Sequence, residues 1–244
     1  MALYVYGIVE AGCRLPAKRG IADAPLRLLE GDGSAALVSE IDADQVRLGR
    51  EAVLRHARVL EQALERGPVL PMRFGVVMSG PEEVQSRLLD QHAEELRAQL
   101  IDFAGKVEIR IRAIYDEESL MHDVVRGNPD IASLRNAIRA ESEDATYYER
   151  IRLGELVGAA VERRRERDAE AIVDALAAAA LAVEVSELTH ERVVIQASFL
   201  VERDHLAKFD QLVDDIAGAY GGGIRFKYTG PLPPHSFVEL AERV

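Results

Sequence analysis

The chain has 244 residues, 48% of them hydrophobic and 30% charged, a globular balance that can bury the core of one large domain or two small ones. Its formal net charge of −12 excludes a general nucleic-acid binder, which needs surplus Lys and Arg, and disfavours adsorption to anionic lipid. Cys13 is the only cysteine, so neither an internal disulfide nor a multi-cysteine zinc site can form.

The opening Met1 to Gly7 lacks the basic region and cleavage site of a secretory signal, and no window approaches the roughly 20 apolar residues of a membrane span. The expected location is therefore the cytoplasm. Leu3 to Val9 reads as a short strand rich in Tyr, Val and Ile, followed by a loop holding Pro16, Gly20 and Pro25. Two strands, Leu26 to Glu30 and Ala35 to Ile41, flank a hairpin turn at Gly31-Asp32-Gly33. Asp42 or Asp44 can cap a helix reaching about Arg66, with Val46, Val53, Leu60 and Leu64 at helical spacing.

Val69 to Val77 is expected to be one strand, with Leu70, Met72, Phe74 and Val76 on one face. Pro71 marks it as an edge or a strand start, because proline donates nothing to the ladder. Pro81, with Glu82 and Glu83 behind it, opens a helix to about Phe103. These elements form an N-terminal α+β domain over residues 1–104.

Residues 105–244 form the second expected domain. Lys106 to Tyr115 alternates, with Val107, Ile109, Ile111 and Ala113 on one face and Glu108, Arg110 and Arg112 on the other. A helical insert (116–143) is broken at Asn128-Pro129. A long helix (144–180), on the order of 50 Å, carries a stripe of Tyr147, Ile151, Gly154, Gly158, Val161, Ile172 and Leu176. Ala182 to Leu188 and Arg192 to Glu202 are strands joined at Thr189-His190. Asp204 caps a helix to about Tyr220, and Ile224 to Thr229 is the last strand. Without the insert the order is β-α-β-β-α-β, the ferredoxin-like split βαβ arrangement. The fold class is α+β in two domains, the second a modified ferredoxin-like domain with a long helix and a Pro-rich C-terminal tail.

A search for chemistry finds little. Gly221-Gly222-Gly223 follows a helix and precedes a strand, the reverse of a phosphate loop. The six histidines are scattered, His92-Ala93-Glu94-Glu95 lacks the second histidine of a zincin, and His122-Asp123 is at most a ligand pair. No G-x-S-x-G elbow occurs. The expectation is a non-enzyme with no catalytic residue, no cofactor and no metal.

Three features suit partner binding instead. Arg110 and Arg112 share a sheet face with Arg225 and Lys227, a surface for an acidic partner or RNA, or else an internal contact. Phe226 and Tyr228 alternate with the basic residues and point inward, which weakens the RNA reading. Gly154 and Gly158, four residues apart, suggest close packing of the long helix on the sheet, while Glu162 to Glu170 is charged nearly all round and stands in solvent or grips another protein. The tail Thr229 to Val238 either folds back on its own domain or presents a stiff, peptide-like edge.

Four stretches carry a family resemblance. Tyr4-Val5-Tyr6-Gly7-Ile8-Val9, Val69-Leu70-Pro71-Met72-Arg73-Phe74-Gly75, Gln196 to Val201 and Gly230-Pro231-Leu232-Pro233-Pro234-His235-Ser236-Phe237 resemble the gas vesicle protein F/L family (GvpF/GvpL), in the family's order and across nearly the whole chain. Leu232 and His235 depart from the tryptophan and tyrosine of the family pattern. The resemblance implies two domains, the second a modified ferredoxin-like fold, and an accessory role in gas vesicle assembly. It implies binding of the major hydrophobic shell protein, in a chaperone- or nucleation-like way, and of other gas vesicle accessory proteins, with no nucleic acid and no membrane as partner. Candidate partner-binding residues are Leu70, Met72, Arg73 and Phe74, the basic set Arg110, Arg112, Arg225 and Lys227, and Leu232, His235 and Phe237 of the tail. The competing readings are a ferredoxin-like small-ligand sensor and an RNA-binding module.

Overall fold

Strand β1 (Ala2–Glu10) is buried from Leu3 to Val9, so its sequence is a continuous apolar run rather than an alternation. In the computed structural model, which describes residues 2–42, 49–140, 146–188 and 190–239, β1 pairs antiparallel with β3 (Ser34–Ile41) on one edge. On its other edge it pairs with β4 (Val69–Pro71) and β5 (Val77–Met78), and β2 (Leu26–Glu30) lies outside β3. The expected hairpin is present: Gly31 N–H donates to Ser34 O at 2.7 Å, and Gly33 has φ +79°, a conformation that favours glycine. Gly7 stands at a register shift between β1 and β3, where a Cβ would meet Leu70 O at 2.7 Å, so only glycine lets β4 approach.

The strand expected over Val69–Val77 is interrupted. Arg73-Phe74-Gly75 turns out of the ladder, with Gly75 at φ +98°, and Gly75 N–H donates to Tyr4 Oη at 3.0 Å. A polar phenol buried in β1 needs a partner, and the loop supplies it. Phe74 in turn packs its ring 6.2 Å from Tyr4 and 5.7 Å from His56. β4 is an edge strand, as Pro71 predicts.

Helix α1 (Arg50–Leu64) has Gly49 rather than Asp42 at its N-cap, and Asp44 and Val46 lie outside the described residues. Its inner face is Ala52, His56, Val59, Leu60, Ala63 and Leu64; Leu60 and Leu64 are buried as expected, while Val53 is exposed. The single helix expected over residues 81–103 is three pieces: α2 (Pro81–Glu83), a π-helical stretch Val84–Asp90, and α3 (Ala93–Asp102).

The second sheet has the order β7 (Ala182–Val185), β8 (Val193–Glu202), β6 (Lys106–Tyr115), β9 (Ile224–Leu232). With α6 (Tyr147–Ala177) between β6 and β7 and α7 (Leu206–Ala219) between β8 and β9, this is the ferredoxin-like connectivity. The insert forms α4 (Glu117–Gly127), capped by Asp116 through Ser119 N–H at 3.1 Å, and α5 (Pro129–Ala140). The expected start of the long helix at Asp144, and Thr189 of the β7–β8 turn, lie outside the described residues.

The chain divides into two compact units. One is Met1–Ile109, Leu200–His205 and Thr229–Val244, and the other Arg110–Phe199 and Leu206–Tyr228. In the first unit His56 is buried with Nδ1 2.9 Å from Tyr4 Oη. Tyr4 Oη already accepts from Gly75 N–H, so its own proton goes to Nδ1 and the ring carries its hydrogen on Nε2. Burial first, then the charge of His235, push the His56 pKa down to about 4. The unfolded chain therefore binds a proton below its ordinary pKa that the native ring refuses. This contribution is complete above about pH 6.5 and is lost as pH falls toward 4, at most on the order of 3 kcal/mol. Denaturant titrations between pH 7 and 4 should show that loss, and His56→Gln, which keeps an acceptor for Tyr4, should flatten it.

Candidate partner-binding surfaces

The stripe on α6 divides into two halves. Ile172 and Leu176 are fully buried, whereas Tyr147, Tyr148 and Ile151 are exposed, Tyr148 by 80% and Ile151 by 46%. Between them Gly154 and Gly158 face open space, since a Cβ at either would meet no heavy atom within 4 Å. The close packing expected at these glycines is therefore absent. A helix of 31 residues is about 46 Å long. What covers its C-terminal half does not extend along its N-terminal half.

The glycines instead floor a groove of about 610 Å³ with Leu120 and Met121 of α4 and Val157 and Val161 of α6. Its rim is charged and largely paired: Arg192 meets Glu117 at 3.0 Å and Arg165 meets Glu162 at 2.5 Å, and Glu191 adds a further acid. The groove thus has apolar residues in its floor and a slightly acidic rim.

The position of α6 is fixed by a polar cluster that reading the sequence missed. Tyr115, the last residue of β6, donates its hydroxyl to Asp168 Oδ2 at 2.5 Å. Arg164 contacts Asp168 at 3.4 Å and Asp123 of α4 at 3.0 Å, and its guanidinium lies 5.9 Å from the Tyr115 ring centre. Burial, then the hydrogen bond and charge of Asp168, push the Tyr115 phenol well above its ordinary value. The charged run Glu162 to Glu170 does not all stand in solvent: Arg164 and Asp168 turn inward. The available signal was their i, i+4 alignment with buried Ile172.

The basic residues lie on the sheet face opposite the helices. Tyr115 and the other odd residues of β6 face α6, and Phe226 and Tyr228 of β9 face α7, with Tyr228 donating to Asp210 at 2.6 Å and Phe226 6.2 Å from Tyr220. Alternation turns Arg110, Arg112, Arg225 and Lys227 the other way. Arg110, Arg225 and Lys227 are exposed and Arg112 is half-buried. Arg225 also helps hold the Asp116 carboxyl below its usual range, after the hydrogen bonds from Ser119. No aromatic side chain joins the basic residues on these strands, so base stacking has no platform here.

In the first unit Leu70 and Met72 are core residues, Arg73 is exposed and Phe74 half-buried against Tyr4 and His56. The predicted face of Leu70, Met72 and Phe74 is not a free surface. The tail is folded back: Pro233, Pro234 and Val238 are buried, and Leu232, His235 and Phe237 are half-buried. Glu108, expected on the solvent side of β6, is instead fully buried. Its carboxylate accepts from Ser236 N–H at 2.7 Å and Ser236 Oγ–H at 2.9 Å. Cys13 is half-buried, and burial followed by Glu30 raises its thiol pKa, which disfavours a nucleophilic role.

Comparison with known proteins is consistent along the chain. Residues 2–239 match the family model of gas vesicle synthesis protein GvpL/GvpF. Gas vesicle protein F of Streptomyces sp. (strain CB03234) is 38% identical over 243 residues, covering 98% of this chain and 100% of the relative. Gas vesicle protein F of Dolichospermum flosaquae is 26% identical, covering 98% of each. The crystal structure of GvpF from Microcystis aeruginosa superposes with a TM-score of 0.79 at 26% identity, covering 98% of this chain and 99% of that one. GvpF from Anabaena sp. PCC7120 superposes at 0.84 with 24% identity, a likeness of fold.

Two substitutions test what holds these surfaces. Tyr115→Phe should cost about 1.5–3 kcal/mol, the range for a hydrogen bond to a charged group. The native phenol keeps its proton above the ordinary value near 10 while the unfolded one releases it, so stability falls as pH rises past that point. The decline should be shallower in Tyr115→Phe than in wild type in alkaline thermal melts. Glu108→Ala removes the acceptor for Ser236 and should lower stability by about 3 kcal/mol. Limited proteolysis followed by mass spectrometry should then find new cleavage within residues 229–239, and an equally resistant tail would show that the carboxylate is not what retains it.

Proposed function

The chain belongs to the gas vesicle synthesis protein GvpL/GvpF family, and we propose that it acts as a non-enzymatic assembly factor that binds the major hydrophobic shell protein. Its role is chaperone- or nucleation-like, exercised in the cytoplasm and at the growing vesicle together with other accessory proteins. The observation that carries this reading is the open half of the α6 stripe, Tyr147 to Val161, on a protein of net charge −12.

The physical argument is one of solubility. A shell subunit with a very apolar face associates indiscriminately until it is polymerised. An acidic protein stays dispersed by self-repulsion, and a single apolar groove lets it cover such a face without exposing a large apolar surface of its own. Gly154 and Gly158 let a partner backbone come close to α6, and Met121, Ile151 and the two tyrosines supply apolar contact around them. Two of the rim's acids are already paired with Arg165 and Arg192, so the groove selects chiefly for shape and apolarity, with Glu191 as a remaining acid.

A pull-down of the purified chain against the purified major shell protein tests the reading. Wild type should capture it. Gly154→Leu and Ile151→Asp, both in open surroundings and so neutral to folding, should each weaken capture about tenfold or more. Arg73→Glu, beside the buried Leu70 and Met72, should change it little. Absence of capture with both proteins soluble would overturn the shell-binding role.

A further inference from the structure

Among the described residues, strand β7 ends the second sheet and pairs only with β8. Natural edge strands are blunted by shortness, charge, proline, bulges or cover, because their free backbone groups template further pairing; of these β7 has its four-residue length and Glu184. The segment Leu181 to Glu187 has no proline, glycine or lysine, and none of its residues is buried. Leu181 and Val185 are 51% and 59% exposed.

The register decides which backbone groups are free. Ser186 N–H donates to Gln196 O at 2.8 Å, so Ser186 and Glu184 turn their backbone groups toward β8. Val183 and Val185 therefore turn theirs outward. Side chains alternate as well, which places Val183 and Val185 on one face and Glu184 on the other. Glu184 and Glu187 are both exposed along this short edge.

We propose that β7 is a docking strand for an extended polypeptide segment with apolar side chains at alternate positions and lysine or arginine between them. The segment adds to the sheet as a fifth strand. Its N–H and C=O groups pair with Val183 and Val185, its apolar side chains pack beside those valines, and its cations lie near Glu184 on the other face. A second copy of β7 brings a second Glu184 against the first, so the edge is biased against its own kind and toward a basic partner. Naming the source of the segment as the shell subunit before polymerisation rests on the assembly reading above; the strand-binding chemistry does not.

The probes are a fluorescein-labelled octapeptide alternating valine and lysine and its valine–glutamate counterpart, followed by fluorescence anisotropy. Wild type should bind the lysine peptide at least about tenfold more tightly than the glutamate peptide. Val185→Pro removes one outward N–H while leaving the Ser186–Gln196 bond, so it should keep the wild-type melting temperature and lose the peptide. Glu184→Lys should reverse the preference. Equal binding of the two peptides, or binding unchanged by Val185→Pro, overturns the proposal. Concentration-dependent self-association of wild type in sedimentation, abolished by Val185→Pro, would assign the edge to a second copy and also overturn it.

Shell-protein capture separates the two readings. Capture by wild type and Val185→Pro alike would leave the assembly role standing and remove the edge as its contact. Peptide binding that Val185→Pro abolishes, with no capture of shell protein, would keep the strand-binding edge and remove the assembly role.

Discussion

One phenol at the end of a strand determines where the longest helix lies. Tyr115 holds Asp168 at 2.5 Å, Asp168 and Asp123 hold Arg164, and Arg164 closes over the Tyr115 ring. Three elements, β6, α4 and α6, are tied by four side chains, from the buried Tyr115 through the partly buried Asp168 and Arg164 to the more exposed Asp123. The groove of Leu120, Met121, Gly154 and Gly158 lies between the same two helices, α4 and α6, and so inherits its geometry from this cluster. An apolar groove open on one side cannot hold its own walls apart or together, and a directional polar anchor does so for it.

Much of the architecture was legible because backbone constraints are local. Pro71 announced an edge strand, Gly31-Asp32-Gly33 a hairpin, and the alternation of Val107 to Ala113 a one-sided sheet whose neighbours follow the split βαβ order. What escaped was decided by partners distant in sequence. Val69 to Val77 breaks because Tyr4, 71 residues from Gly75, needs a donor for its hydroxyl. Glu108 reads as solvent-facing until Ser236, 128 residues away, is folded onto it. The stripe of α6 was read correctly as a line but not as a surface, because periodicity says which residues share a face and not whether anything lies against it.

Charge in this protein is apportioned rather than merely excessive. The β7 edge is acidic, the open face of β6 and β9 is basic, and the groove rim is mostly paired with one acid, Glu191, left over. These three surfaces differ in what they would attract, although they belong to one compact unit. Tail and core in the other unit are arranged differently, with buried prolines and a buried carboxylate closing the chain onto itself. Of the two readings of the proline-rich tail, folding back on its own domain is the one found, and the tail is largely spent on internal contacts.

The divided stripe of α6 also makes the helix a gradient of protection against solvent. Around Ile172 and Leu176 the backbone can exchange its amide hydrogens only when the sheet opens with it, so those hydrogens persist. Toward Tyr147 the exposed first turns lean more on local helix propensity, two glycines weaken that propensity, and a terminal turn can fray without disturbing the core. One continuous helix therefore contains slow and fast amides separated by only a few turns. Anything that settles along its open half would slow the fast ones and leave the slow ones untouched, making α6 its own reporter of occupancy.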